Sequence, residues 1–118
     1  MINLFKYHSS PQTLYAFNDR TKLVPEMAYE YARDVINGRW PEGESTIAKD
    51  PVFAFMYITH ILKRKRWKKA EPAIMKDPYI AFMYARDIIE DRWKEAEPII
   101  MNSIAASAYA HHFNIVDI

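Results

Sequence analysis

The stretch Tyr84-Ala85-Arg86-Asp87-Ile88-Ile89-Glu90-Asp91-Arg92-Trp93-Lys94-Glu95-Ala96-Glu97-Pro98-Ile99-Ile100-Met101 has two earlier counterparts in the same chain. Arg92-Trp93 repeats Arg66-Trp67 and Arg39-Trp40, at separations of 26 and 27 residues. Each pair is followed at one fixed offset by a glutamate: Glu97, Glu71 or Glu44. Asp50-Pro51 and Asp77-Pro78 come next after the first two pairs, each leading into an aromatic run that ends at Tyr57 or Tyr84. A period between 20 and 50 residues marks a stacked repeat, in which each unit buries its apolar face only against its neighbours.

Aligned on these marks, one unit reads Pro25, Ala28, Tyr29, Tyr31, Val35-Ile36, Arg39-Trp40, Glu44, Ile47. The second reads Pro51, Ala54, Phe55, Tyr57, Ile61-Leu62, Arg66-Trp67, Glu71, Ile74-Met75, and carries one extra residue between its tyrosine and its arginine. The third reads Pro78, Ala81, Phe82, Tyr84, Ile88-Ile89, Arg92-Trp93, Glu97, Ile100-Met101. Asp-Pro is a helix start: the aspartate caps free backbone amides, and proline fits the first turn. Helices are therefore expected from Pro51 to about Lys63 and from Pro78 to about Glu90, with Ala81, Tyr84, Ala85, Ile88 and Ile89 at helical spacing. By composition alone, Val52 to Ile58 also suits a buried strand, but the matched position in the third unit argues for a helix. Pro72 and Pro98, just after the glutamates, make the second helix of each unit either kink or begin there.

The expected fold is all-α, with short helical-hairpin repeats stacked as a small α-solenoid with atypical end caps. The chain divides as a single domain into repeats 25–50, 51–77 and 78–103, an N-terminal cap 1–24 and a C-terminal cap 104–118. The caps look like partial units. Ser10-Pro11, Leu14, Tyr15 and Phe17 echo the opening of a repeat, and Tyr109-Ala110 echoes Tyr84-Ala85, with His111-His112 in place of the following Arg-Asp. Atypical terminal units suit an array whose end faces meet water.

Half of the 118 residues are hydrophobic, including three tryptophans, eight tyrosines and six phenylalanines, so disorder is not expected for the bulk of the chain. The net charge of +1 gives no global field toward nucleic acid or membrane. No cysteine is present, which excludes a disulfide framework and a thiolate metal site. Only Gly38 and Gly43 occur, too few for a glycine-rich phosphate loop. No apolar run approaches the roughly 18 residues that would span a bilayer, and the start lacks a signal-peptide pattern. A soluble, cytoplasmic protein is the expectation. No nucleophile signature or clustered carboxylates favour an enzyme, and no cofactor is expected.

Residues that recur in every unit are read as scaffold. The arginines are expected to pair with a glutamate of the same or an adjacent unit, and the tryptophans to supply buried area, with a ligand-binding ladder of tryptophans as the alternative. His60 and His112 stand where other units place Asp34 and Asp87, but positions one repeat apart are roughly 10 Å apart, so no shared metal site is expected. The second unit differs at Lys63-Arg64-Lys65-Arg66-Trp67-Lys68-Lys69, where the other units have mixed or acidic residues. Lys63, Arg64, Lys65, Arg66, Lys68 and Lys69 are the candidate partner-binding residues. Such a cluster fits an acidic protein surface or a phosphate backbone, beside the plain alternative of solvated surface charge.

The pattern of Tyr84-Ala85-Arg86-Asp87-Ile88-Ile89 through Arg92-Trp93 and Ala96-Glu97-Pro98-Ile99-Ile100-Met101, carried with drift over about Pro25 to Ala110, resembles a short tandem repeat of tailed-bacteriophage proteins. That resemblance transfers no catalytic residue. It implies a phage origin and a protein-binding role, in the host cytoplasm, as an accessory protein that inhibits or redirects a host or defence protein. Nucleic-acid binding through residues 63–69 and a structural role in the virion or its assembly are the alternatives. An exposed array end can also stack on a second copy, making a homo-oligomer.

Overall fold

The computed structural model describes residues 24–116, and among them every regular element is a helix. The cap expected over 1–24 therefore lies outside the described residues except for Val24, as do Asp117 and Ile118. The first unit holds α1 (Pro25–Tyr31), which runs on through a π-helical turn at Ala32–Ile36, and α2 (Pro41–Ile47). The second holds α3 (Pro51–His60) and α4 (Glu71–Met75). The third holds α5 (Pro78–Tyr84), again extended by a π-helical turn at Ala85–Ile89, and α6 (Glu97–Ile100). A last helix, α7 (Ala106–His112), follows.

Asp50 and Asp77 start α3 and α5 as expected. The Asp50 carboxylate accepts from the Val52 and Phe53 amides at 3.0 and 3.1 Å, and that of Asp77 from Tyr79 and Ile80, both at 3.1 Å. These caps decide the ambiguity at 52–58, which is helical and buries Ala54, Tyr57 and Ile58. Ser103, at the matched position before α7, accepts from the Ala105 amide at 3.0 Å in the same manner. The prolines are resolved as starts rather than kinks. A 3₁₀ turn at Lys68–Ala70 or Lys94–Ala96 ends where α4 or α6 begins at the glutamate. Pro72 and Pro98 then occupy the first turn, where the missing N–H is not needed.

The longer helices leave their units through left-handed residues. In units one and three a single residue turns the chain, Asn37 (φ 63°) and Glu90 (φ 61°). Each closes an i→i−5 bond, to the carbonyls of Ala32 and Ala85. The extra residue of unit two is absorbed here, since Lys63 and Arg64 are both left-handed (φ 56° and 63°). α3 consequently stops at His60, short of Lys63.

Packing follows the repeat. Ala28, Ala54 and Ala81, at one matched position, are wholly buried, and small side chains there let helices of successive units approach closely. α1 packs on α3, and α3 on α5. Ile47, Ile74 and Ile100, wholly buried at another matched position, belong with them to one continuous hydrophobic core. Gly43 makes room for its neighbour: a Cβ there would lie 2.4 Å from the Trp40 ring. Units two and three hold Ala70 and Ala96 at that place.

Candidate functional site

The recurrent residues meet at three matched nodes, and each node joins two units. Arg39 donates from Nε and Nη2 to both oxygens of Glu44 at 2.9 and 2.8 Å. Tyr57, from the next unit, donates its hydroxyl proton to Glu44 Oε2 at 2.6 Å and accepts the Trp40 amide at 2.9 Å. Arg66, Glu71, Tyr84 and Trp67 repeat the arrangement, with Tyr84 at 2.8 Å from Glu71 and 2.9 Å from the Trp67 nitrogen. Arg92, Glu97, Tyr109 and Trp93 form it a third time, with Tyr109 at 2.7 Å from Glu97 and 2.8 Å from the Trp93 nitrogen. While their hydroxyls reach back, the Tyr57 and Tyr84 rings lie 5.2 and 5.0 Å from Trp67 and Trp93 of their own units. Tyr109 has Phe113 at 4.8 Å in that role.

The nodes are electrostatically matched. Burial, reinforced by the Glu44 carboxylate, pushes the Tyr57 hydroxyl well above the ordinary tyrosine range. Burial does the same at Tyr84, with Glu71 adding to it and the Trp67 N–H opposing. Tyr109, less enclosed, is pushed up to about 12 by burial and then by Glu97. Glu97 in turn is held down to about 2, chiefly by the Arg92 guanidinium and further by the Tyr109 hydroxyl. Burial would raise Glu44, but Arg39 and Tyr57 outweigh it and hold the carboxyl below its usual range. Such nodes satisfy buried charge.

The structure distributes the predicted partner-binding residues among several surroundings. Arg66 is committed to Glu71 in the second node, as Arg39 and Arg92 are in theirs. Arg64 reaches forward to unit three and donates to the Asp87 carbonyl at 3.2 Å. Lys63 and Lys65 line a concavity of about 330 Å³ together with Arg39, Arg66, Ile61, Leu62 and Trp67. A smaller adjoining hollow of about 180 Å³ is bounded by Lys63, Ile61 and His60 on one side and Arg33, Asn37 and Gly38 on the other. The turns of units one and two thus enclose a basic seam. Lys68 is exposed in the 3₁₀ turn, and Lys69 lines a different concavity, beside Lys49 and Lys76.

His60 Nδ1 lies 2.7 Å from the Tyr29 hydroxyl of unit one, while Arg33 and Arg86 clamp their neighbours Asp34 and Asp87 side-on at 2.6 and 2.7 Å. Among the described residues no three His, Asp or Glu side chains are grouped to hold a metal ion. Also among the described residues, no helix is long and apolar enough to cross a membrane.

Sequence reasoning missed the tyrosine hydroxyls. Their signal was present, because Tyr57, Tyr84 and Tyr109 recur 17, 17 and 16 residues after the tryptophans whose amides they accept. No known protein family, curated protein or solved structure matches this chain.

Proposed function

We propose that this protein is a non-enzymatic binding module, a small α-solenoid with atypical ends, that docks an acidic protein surface onto the basic seam between its first two units. The observation that carries this reading is the unit-two turn. Lys63 and Arg64 hold left-handed conformations that cost about 1–2 kcal/mol each for a residue with a Cβ. Glycine or asparagine would serve such a turn more cheaply, so placing cations there favours a role for their side chains. Lys63, Lys65 and Lys68 are exposed and form no ion pair among the described residues. The solenoid reading rests on the three matched nodes and on the successive contacts of α1, α3 and α5. The phage accessory role, acting on a host protein, rests on the repeat resemblance alone.

The test begins with capture of partners from the presumed bacterial host and cross-linking to locate the contact. The Lys63→Glu/Lys65→Glu double variant should keep its helical circular dichroism and its melting temperature, since Glu90 already occupies the left-handed position of unit three. It should lose capture. A partner held equally well by this variant, or cross-linked elsewhere, overturns the reading. Replacement of the protein partner by duplex DNA, with an affinity falling steeply with salt, would transfer the seam to nucleic-acid binding.

A further inference from the structure

The second basic concavity is a different site. It lies between the short helices α2 and α4 and has a volume of about 430 Å³. Ser45, Ala48 and Lys49 line it from the first unit, and Lys69, Pro72, Ala73 and Lys76 from the second. Three of its lining residues are lysines and none is acidic. None of the three lysines is within ion-pair distance of an acidic residue among the described residues. The nearest claim on them is weak: Lys69 lowers the Glu44 carboxyl through space, and Glu44 is already satisfied by Arg39 and Tyr57.

The repeat supplies its own control. The positions of Lys49, Lys69 and Lys76 correspond in the following pair of units to Lys76, Glu95 and Asn102. The scaffold therefore builds this groove with one cation and one anion as readily as with three cations. The lysines of the first groove are therefore not required by the scaffold, and Ala48, Pro72 and Ala73 supply its apolar lining.

We propose that the groove between α2 and α4 binds an oligophosphate chain, with Lys49, Lys69 and Lys76 contacting its phosphoryl oxygens and Ser45 contributing a hydroxyl. Three lysines around one concavity suit a compact ligand that carries several negative charges. A phosphate chain supplies them within a few ångströms, whereas single carboxylates of a peptide would have to arrive separately. Lysine serves phosphate as a point charge without fixed bidentate geometry, which suits flexible side chains around an apolar lining. Ala48, Pro72 and Ala73 give an apolar surface on which the base of a nucleotide can rest.

Inorganic triphosphate and ATP, titrated calorimetrically at low ionic strength into the intact protein, test the site, with the Ala48 and Ala73 amide resonances reporting its location. Saturable binding of both is expected. Tighter binding of ATP would identify a nucleotide as the natural ligand, and equal binding an inorganic chain. Lys69→Glu and Lys76→Asn, both residues that unit three carries at the matched positions, should fold normally and each weaken binding by about tenfold or more. The Lys63→Glu/Lys65→Glu variant should bind triphosphate within about twofold of the parent, because its changes lie in the other seam. Absence of saturable binding overturns the proposal. So does an equal loss in the seam variant, which would mean a diffuse field rather than a site. Neither result touches the protein-docking reading, which is judged by capture.

Discussion

The hydroxyl oxygen of Tyr84 has two partners in the preceding unit, a donor amide at Trp67 and an acceptor carboxylate at Glu71. Both partners are buried, and so is the tyrosine, with Glu71 7% exposed and Tyr84 0%. Phenylalanine at this position would keep the ring against Trp93 but strand a buried N–H and remove one donor from a buried carboxylate. A group left unsatisfied in this way costs about 1–3 kcal/mol. Tyr84→Phe should therefore lower the urea midpoint with an unchanged slope. Tyr109→Phe should cost less, because the Glu97 side chain is 16% exposed and water can replace the lost hydroxyl. No loss at either position would mean that the nodes act by shape alone.

At the level of elements, the caps and the exits of the longer helices set the unit length. Glu90 ends the third unit's long helix in a left-handed conformation with an exposed side chain. Glu90→Gly should raise stability by about 1 kcal/mol, since glycine removes the Cβ penalty without removing a contact. A thermal melt reads this directly, and an unchanged or lower melting temperature would contradict the strain assigned to the turn. The starts of these helices were legible in the sequence, because aspartate and proline act locally through amides two and three residues away. Their ends were less so. The helix expected to run to about Lys63 stops at His60, whereas the one expected to run to about Glu90 does reach it, but through a π-helical turn over 85–89, since π bonding and left-handed exits depend on tertiary packing rather than composition. The basic run of unit two was visible too, as was a glutamate partner for Arg66, but only the fold assigns Lys63 and Lys65 to one groove and Lys69 to another. Lys49 and Lys76 escaped notice because each lies outside that run, and only the fold brings them beside Lys69.

Across the whole molecule, the nodes titrate at both ends of the pH scale. Glu97 is held at about 2 in the folded chain against an ordinary 4.5, so the folded state binds this proton less readily than the unfolded one. Its contribution, joined by that of Glu44, is present above pH 4.5 and is lost as pH falls toward 2. The tyrosines act in the opposite sense. Tyr109 is raised from 10 to about 12, so its contribution is complete below pH 10 and disappears as pH rises through 12, with Tyr57 and Tyr84 shifted the same way. Thermal melts across the range should show a broad plateau with losses in these two windows, and tyrosinate absorbance should report late-titrating tyrosines that ionise only with unfolding. An acid limb beginning well above pH 5 would show that the carboxylates do not govern it.

The nodes are also directional. Every complete unit presents a socket, made of its Arg–Glu pair and its tryptophan amide, and the unit after it brings the plug, a tyrosine that fills the socket behind it. Because the parts are the same at each joint, any unit can follow any other. Excising residues 51–77 would bring Tyr84 to Glu44 and the Trp40 amide, with each of those polar groups again matched. The number of units is thus free to change by duplication or loss while every joint is preserved, and a groove such as the one between α2 and α4 can acquire its own charge without disturbing the grammar that holds the chain together.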